Sequence, residues 1–391
     1  MSVYVEIKDP KKDVDQKIKA RKKTKVFGRG MIVLGIIFVI ISTFLRLEME
    51  TYDSVKIVRN YKDVKTSDAN YMEFEKGFLR YRRDGIGYID GQGVEKWNRS
   101  YQFKNPMVVT NGSAGAVADK GGNDIIIFNA KQSQGQIHTN FPVEKLAVSE
   151  GGIVGALLNN GAKPQIVCYD VDGNILIEHQ STINGKGYPI GMSLSPNGAI
   201  LQVSYLCVED GVQATRICYY NFGPEGNQEE NFLVKEDIYK NEVIPTTMFL
   251  DNSNSVLISD SSIIFYKGDK KPKKTKRVKL GAEVSSFFYD DSNLGFFLKN
   301  KSGMGKELRI YDMTGELKVS KVIDEKPGKI KMSGGNVIVT SGKRCDIYTT
   351  LGIHLFSGEM NQEILEIRPL PGVNKFLMVG TDGIYEIRLV K

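Results

Sequence analysis

Beyond residue 50 the chain alternates short apolar runs with clusters of Gly, Asn, Asp and Ser, and no long stretch keeps a helical period. Runs of this kind separated by turn residues at about ten-residue spacing predict an all-β domain of short strands. In residues 143–180 the pattern reads VEKLAVSEGG, IVGALLNNG, PQIVCYDVDG, NILIEHQ: strand, turn, strand, turn, strand, Asp-x-x-Gly turn, outer strand. The Asn-Gly and Asp-Gly pairs supply the positive φ that tight hairpins need.

The unit repeats. An aromatic closes an apolar run at Tyr88, Phe128, Tyr169, Tyr220, Tyr266, Tyr311, Tyr348 and Tyr385, at successive spacings of 40, 41, 51, 46, 45, 37 and 37 residues. A first turn precedes each aromatic, as at Asn111-Gly112, Asn197-Gly198 and Gly334-Gly335. A second falls in between, as at Asp84-Gly85, Asn160-Gly161, Asp210-Gly211, Ser302-Gly303 and Asp382-Gly383. A period of about 42 residues with four strands per unit is that of a propeller blade. Eight units predict an eight-bladed β-propeller over residues 52–391, with seven blades as the alternative should the 51-residue interval hide an irregular unit. The last blade lacks an outer strand, and residues 52–59 (YDSVKIVR) form a strand with no blade before it. The N-terminal strand is therefore expected to complete the last blade and close the ring.

One segment breaks the pattern. Residues 31–45 (MIVLGIIFVIISTFL) carry no charge, and extension to residues 26–47 gives 22 residues with Arg29 and Arg46 near the ends. That is about 33 Å of helix, enough to span a bilayer. A long basic lead and the lack of a small-x-small site favour an uncleaved signal anchor over a signal peptide. Residues 1–30 hold ten Lys/Arg against four Asp/Glu, and residues 46–65 hold five Lys/Arg. The positive-inside rule then puts a basic tail, residues 1–25, in the cytoplasm and the propeller outside. In this reading Lys17, Lys19, Arg21, Lys22, Lys23, Lys25 and Arg29 set topology and touch anionic lipid. From residue 47 to residue 52 the chain spans at most about 18 Å, so the propeller is expected to lie close to the membrane.

The net charge of +7 is not a nucleic-acid signature, because residues 31–391 carry only +1. Within them, residues 267–279 (KGDKKPKKTKRVK) hold eight basic residues and one Asp. The segment reads as a solvated hairpin loop between the third and outer strands of the fifth unit. A sharper reading makes Lys270, Lys271, Lys273, Lys274, Lys276 and Arg277 contacts for an anion, such as a lipid headgroup or a wall polymer. No aromatic follows Tyr266 in the run, so base stacking is not expected. A mean hydropathy of −0.25 excludes a polytopic membrane protein.

The run Asp90-x-x-Gly93-x-x-x-Trp97 resembles the repeat of the quinoprotein-like eight-bladed propellers, and Asp170–Gly173 and Asp312–Gly315 resemble it without the Trp. That class, grouped here with the WD40-like propellers, includes quinone-dependent dehydrogenases and non-enzymatic outer-membrane assembly scaffolds. Residues 187–198 (GYPIGMSLSPNG) and 105–129 are similar to an uncharacterised family, the domain of unknown function numbered 5711. The resemblance implies a basic tail, one membrane segment, a propeller and a Gram-positive source, and no activity.

A catalytic constellation is not evident. There is one Trp and no adjacent cysteine pair, against a quinone cofactor. His138, His179 and His354 lack zinc spacing, and Ser193 only approaches G-x-S-x-G. Asp170-x-Asp172-Gly173 suits a hairpin turn better than a Ca²⁺ loop, which would need a distal Glu. Cys168, Cys207, Cys218 and Cys345 all fall on predicted strands, and four free thiols are favoured over two bridges. A hairpin at Asp210-Gly211 would set Cys207 opposite Ala214 rather than Cys218. The expectation is a non-enzymatic, single-pass propeller on the outer side of a bacterial cytoplasmic membrane, without cofactor or metal. It would hold a protein or an envelope-polymer partner. An enzyme or a ligand sensor with its site in the channel is the alternative.

Overall fold

The structure, a computed structural model, describes residues 31–39, 42, 50–61, 66, 68–161, 163–180, 185–299, 305–323 and 328–391. The chain divides into two compact units, Met1–Thr51 and Tyr52–Lys391. In the first, residues 31–39 and Ser42 are helical. Among the described residues no helix is long and apolar enough to cross a membrane. The rest of the expected span, residues 26–47, and the basic tail with Lys17, Lys19, Arg21, Lys22, Lys23, Lys25 and Arg29 lie outside the described residues.

The second unit is an eight-bladed propeller: eight four-stranded antiparallel sheets, none sharing a strand. Blades one to seven occupy residues 70–100, 106–138, 143–180, 188–240, 246–279, 284–323 and 329–359. Blade eight takes three strands from residues 364–390 and its outer strand from Ser54–Tyr61. Ser54 pairs with Val390 and Tyr61 with Ile384, with a bulge between Ile57 and Arg59. The closing strand thus lies two residues further along than the sequence suggests, and it covers the edge that Gly383–Val390 would otherwise expose.

Burial falls off outward. In blade three the second and third strands, Val154–Leu158 and Gln165–Tyr169, are buried throughout, whereas the outer strand Ile175–Gln180 is mostly exposed. The apolar side chains gather between blades, in one cluster at each of the eight blade–blade seams. Phe128 of blade two, for example, meets Phe74 of blade one edge to face at 5.8 Å. A sheet alone cannot bury its faces, so each blade depends on its two neighbours.

The 51-residue interval does not hide a lost blade. Blade four has two ten-residue strands, Ile200–Glu209 and Val212–Asn221, joined at Asp210-Gly211. Cys207 sits opposite Ala214 in that hairpin, and all four cysteines are free. The repeated aromatics are all buried. Six occupy one position, paired with the first or second residue of the neighbouring strand. In blade one Ile89 holds that position and Tyr88 precedes it, and in blade eight Ile387 replaces Tyr385.

The Asp-x-x-Gly boxes have a local cause. Asp90, Asp170 and Asp312 each accept backbone N–H groups from residues two and four further on, and Gly93, Gly173 and Gly315 hold φ of +75°, +84° and +74°. Asp312 also accepts from the Thr314 hydroxyl at 2.7 Å. These bonds outweigh its burial and hold the carboxyl well below its ordinary range. Asp170 is thus a turn residue here. Among the described residues no group of three or more His, Cys, Asp or Glu is placed to hold a metal ion.

Candidate binding face

The first strands of neighbouring blades touch one another and form the innermost layer. They run from the end bearing the second turn of each blade to the end bearing the first turn, so the ring has two distinct mouths. At the first-turn end a cavity of 420 Å³ is lined from blades two to six. Met192 comes from Tyr188–Leu194, Phe249 and Met248 from Thr246–Phe249, Tyr289 from Val284–Tyr289, and Met313 from the turn after the third strand of blade six. Each is at least partly exposed, and Tyr289, 52% exposed, stacks on Phe287 at 5.6 Å. The charged residues of this lining are Glu150, Asp290 and Asp291, all acidic. Thr247 lines the same cavity; it is 9% exposed and its hydroxyl has no hydrogen-bond partner among the described residues.

The opposite mouth is wider and of mixed charge. Its cavity of 1110 Å³ is lined by Arg82, Arg83, Lys104 and Lys120 together with Asp68, Asp84 and Glu144. Arg82 pairs with Asp84 at 3.0 Å, and Glu144 accepts a hydrogen bond from the Tyr188 hydroxyl.

Between the mouths, the innermost strands of blades seven, eight and one share an ionic cluster. Lys331 Nζ bridges Glu366 Oε1 at 2.7 Å and Glu73 Oε2 at 2.8 Å. Lys329 holds the other oxygen of Glu366 at 2.5 Å, and Arg368 and the Ser333 hydroxyl reach Glu73. Glu366 is 4% exposed. Burial raises its pKa, but the two lysines outweigh burial and the net shift is downward. These charges satisfy one another across blade seams and leave little for a reacting molecule.

A third polar cluster lies between blades three and four. The Tyr220 hydroxyl meets Tyr205 Oη at 2.9 Å, Lys186 Nζ at 3.1 Å and His179 Nε2 at 3.4 Å. Burial, with Lys186 nearby, pushes His179 down to about 4. The adjoining void measures 40 Å³, room for about one water. The three histidines, His138, His179 and His354, stand on blades two, three and seven and do not converge.

The basic run is not a loop. Lys273–Lys279 is the outer strand of blade five, and only residues 268–272 form the turn. An outer strand can lack the alternation that marks inner ones, because both its faces reach solvent, and lysines discourage edge-to-edge pairing. Lys270 and Lys271 pair with Glu225 and Glu229 of the long blade-four connection, and Arg277 pairs with Glu242 at 2.8 Å. Lys276 donates to the Thr314 and Gly315 carbonyls, and Lys274 lies 5.5 Å over the Tyr239 ring. Lys273 is exposed.

The sequence reading missed the first-turn mouth. Its one signal is an aromatic directly before the first turn, at Phe249 and Tyr289, where the unit needs no large residue.

Among known proteins, the model described as "Family of unknown function (DUF5711)" matches residues 48–389. No curated protein matches. Among solved structures the chain is similar to BamB from Moraxella catarrhalis, at 10% identity and TM-score 0.51 over 85% of this chain and 99% of that one. The computationally designed Ika8 protein matches at 14% and 0.53, over 87% and 100%. Sqt1 of Saccharomyces cerevisiae matches at 11% and 0.50, over 86% and 99%. At such identities the likeness shows the fold.

Proposed function

The chain belongs to the DUF5711 family, and from that premise we propose that it is a non-enzymatic binding scaffold, anchored in a bacterial cytoplasmic membrane by residues 26–47 with its propeller outside. The partner is a protein held at the first-turn mouth. The observation that carries this is the convergence of Met192, Met248, Phe249, Tyr289 and Met313 around one open cavity. Methionines repack around varied surfaces, and aromatic anchors dominate binding energy at interfaces.

The closing strand begins on the same face. Ser54 pairs with Val390, at the exit end of its neighbour, and the Tyr52 backbone N–H donates to the Leu355 carbonyl at 2.8 Å. The chain therefore enters the propeller on the first-turn face.

Crosslinked pull-down from native membranes tests the reading. Wild-type chain should retain a partner that Tyr289→Ser loses, with the melting temperature unchanged. Equal recovery by both would overturn it. The ligand-sensor alternative draws on the 1110 Å³ mouth. It requires the response to vanish when residues 2–25 are deleted with insertion preserved.

A further inference from the structure

We infer that the segment docking at the first-turn mouth is cationic: Lys or Arg side chains beside an apolar anchor. This rests on the binding reading above and names its partner's chemistry. Glu150, Asp290 and Asp291 approach the mouth from blades three and six, and among the described residues no basic one lines it. Asp290 Oδ1 is engaged in its own turn, accepting from Ser292 and Asn293 N–H at 2.9 and 2.8 Å. Glu150 and Asp291 are exposed and have no ion-pair partner among the described residues. On the same side of blades five and six Lys270 pairs with Glu225, Lys271 with Glu229, and Lys318 with Asp312 and Glu316, while Lys267 and Lys273, without an ion-pair partner among the described residues, do not line the cavity. The unmatched charge at the mouth is thus negative.

A further feature points the same way. The Phe249 and Tyr289 rings offer faces that attract ammonium and guanidinium groups, an attraction that strengthens as water is excluded. An acidic or purely apolar segment would leave Glu150 and Asp291 facing like charge or no charge. A cationic, partly apolar segment matches the acidic rim and the Met and aromatic lining together.

The test uses the full chain in a neutral detergent and two fluorescent peptides of about twelve residues, one alternating Lys and Leu, one alternating Glu and Leu, read by anisotropy. The Lys/Leu probe should bind and the Glu/Leu probe should not. Glu150→Gln with Asp291→Asn should weaken the Lys/Leu probe about tenfold in low salt, and the loss should shrink in high salt as screening replaces it. Tyr289→Ser should weaken it in both salts. Equal binding of the two probes would overturn the inference, as would an unchanged affinity in the double variant. If the double variant is inert while Tyr289→Ser still loses the native partner, the scaffold reading stands and the cationic assignment falls. If Tyr289→Ser loses neither probe nor partner, both fall.

Discussion

Lys331, on the innermost strand of blade seven, places its Nζ 2.8 Å from Glu73 Oε2 on the innermost strand of blade one. The two blades flank blade eight, and that blade holds the same lysine through Glu366 at 2.7 Å. The ring is therefore closed twice, by the N-terminal strand outside and by this ionic cluster inside. Lys331→Met should cost about 3 kcal/mol in chemical denaturation, because it strips a partner from a nearly buried carboxylate.

The same cluster sets a pH dependence. The Glu366 carboxyl lies below its ordinary value in the fold. Its contribution to stability is complete above the unfolded pKa of about 4.3 and fades as pH falls through the folded value. Glu366→Gln should lower stability at pH 7 and flatten the loss as pH falls below the unfolded value of about 4.3. Parallel wild-type and variant curves through that window would remove the cluster from the account.

The outer closure is open to a separate check. A chain lacking residues 1–61 exposes the edge of Gly383–Val390 and should aggregate or melt early. Supplying a synthetic peptide of residues 50–61 should restore a monomeric, cooperative melt. A truncated chain as stable as the parent would mean that the strand is decorative.

Much of this fold was legible because hairpin turns are chemically distinctive. Glycines at Gly112, Gly198 and Gly342 mark three turns through φ of +53°, +72° and +60°, which few other residues adopt. Closure was legible from a missing strand at one end and a spare one at the other. The basic strand Lys273–Lys279 was not, because its exposed faces carry no apolar alternation to separate a strand from a loop. Nor was the mouth. Met192, Phe249 and Tyr289 lie 57 and 40 residues apart in sequence, and each alone resembles an ordinary strand residue of its blade. Only the ring brings them together.

Cysteine chemistry follows from burial. Cys168, Cys218 and Cys345 are buried, and burial pushes their thiols up to about 12. Cys207 is only partly buried. A maleimide should label Cys207 first and alone in the native protein, all four thiols should react in denaturant, and reductant should leave the melting temperature unchanged. Faster labelling of Cys168 or Cys345 would place them nearer solvent than the fold does.

The long connection of blade four, residues 222–232, is tied to blade five by Lys270–Glu225 and Lys271–Glu229, and by Asn221 Nδ2 donating to the Lys270 carbonyl at 2.9 Å. Phe232 there holds φ of +63°, a conformation large side chains rarely keep without support. Lys270→Ala with Lys271→Ala should speed proteolytic cleavage within 222–232 and leave the global melt in place, since exposed pairs act locally. Unchanged cleavage would show that the connection is held by its apolar contacts, such as Phe222 with Phe232 at 6.3 Å.

The central claim is that the first-turn mouth holds the partner, and photocrosslinking addresses it most directly. A photoreactive residue would replace Tyr289 at that mouth, Lys120 at the opposite mouth, or Lys279 on the outer strand of blade five, each in the full chain in native membranes. The account predicts one discrete adduct from position 289, present at neither of the other two. An adduct from position 120 or 279 in its place, or none from 289 under conditions where the partner co-purifies, would contradict it.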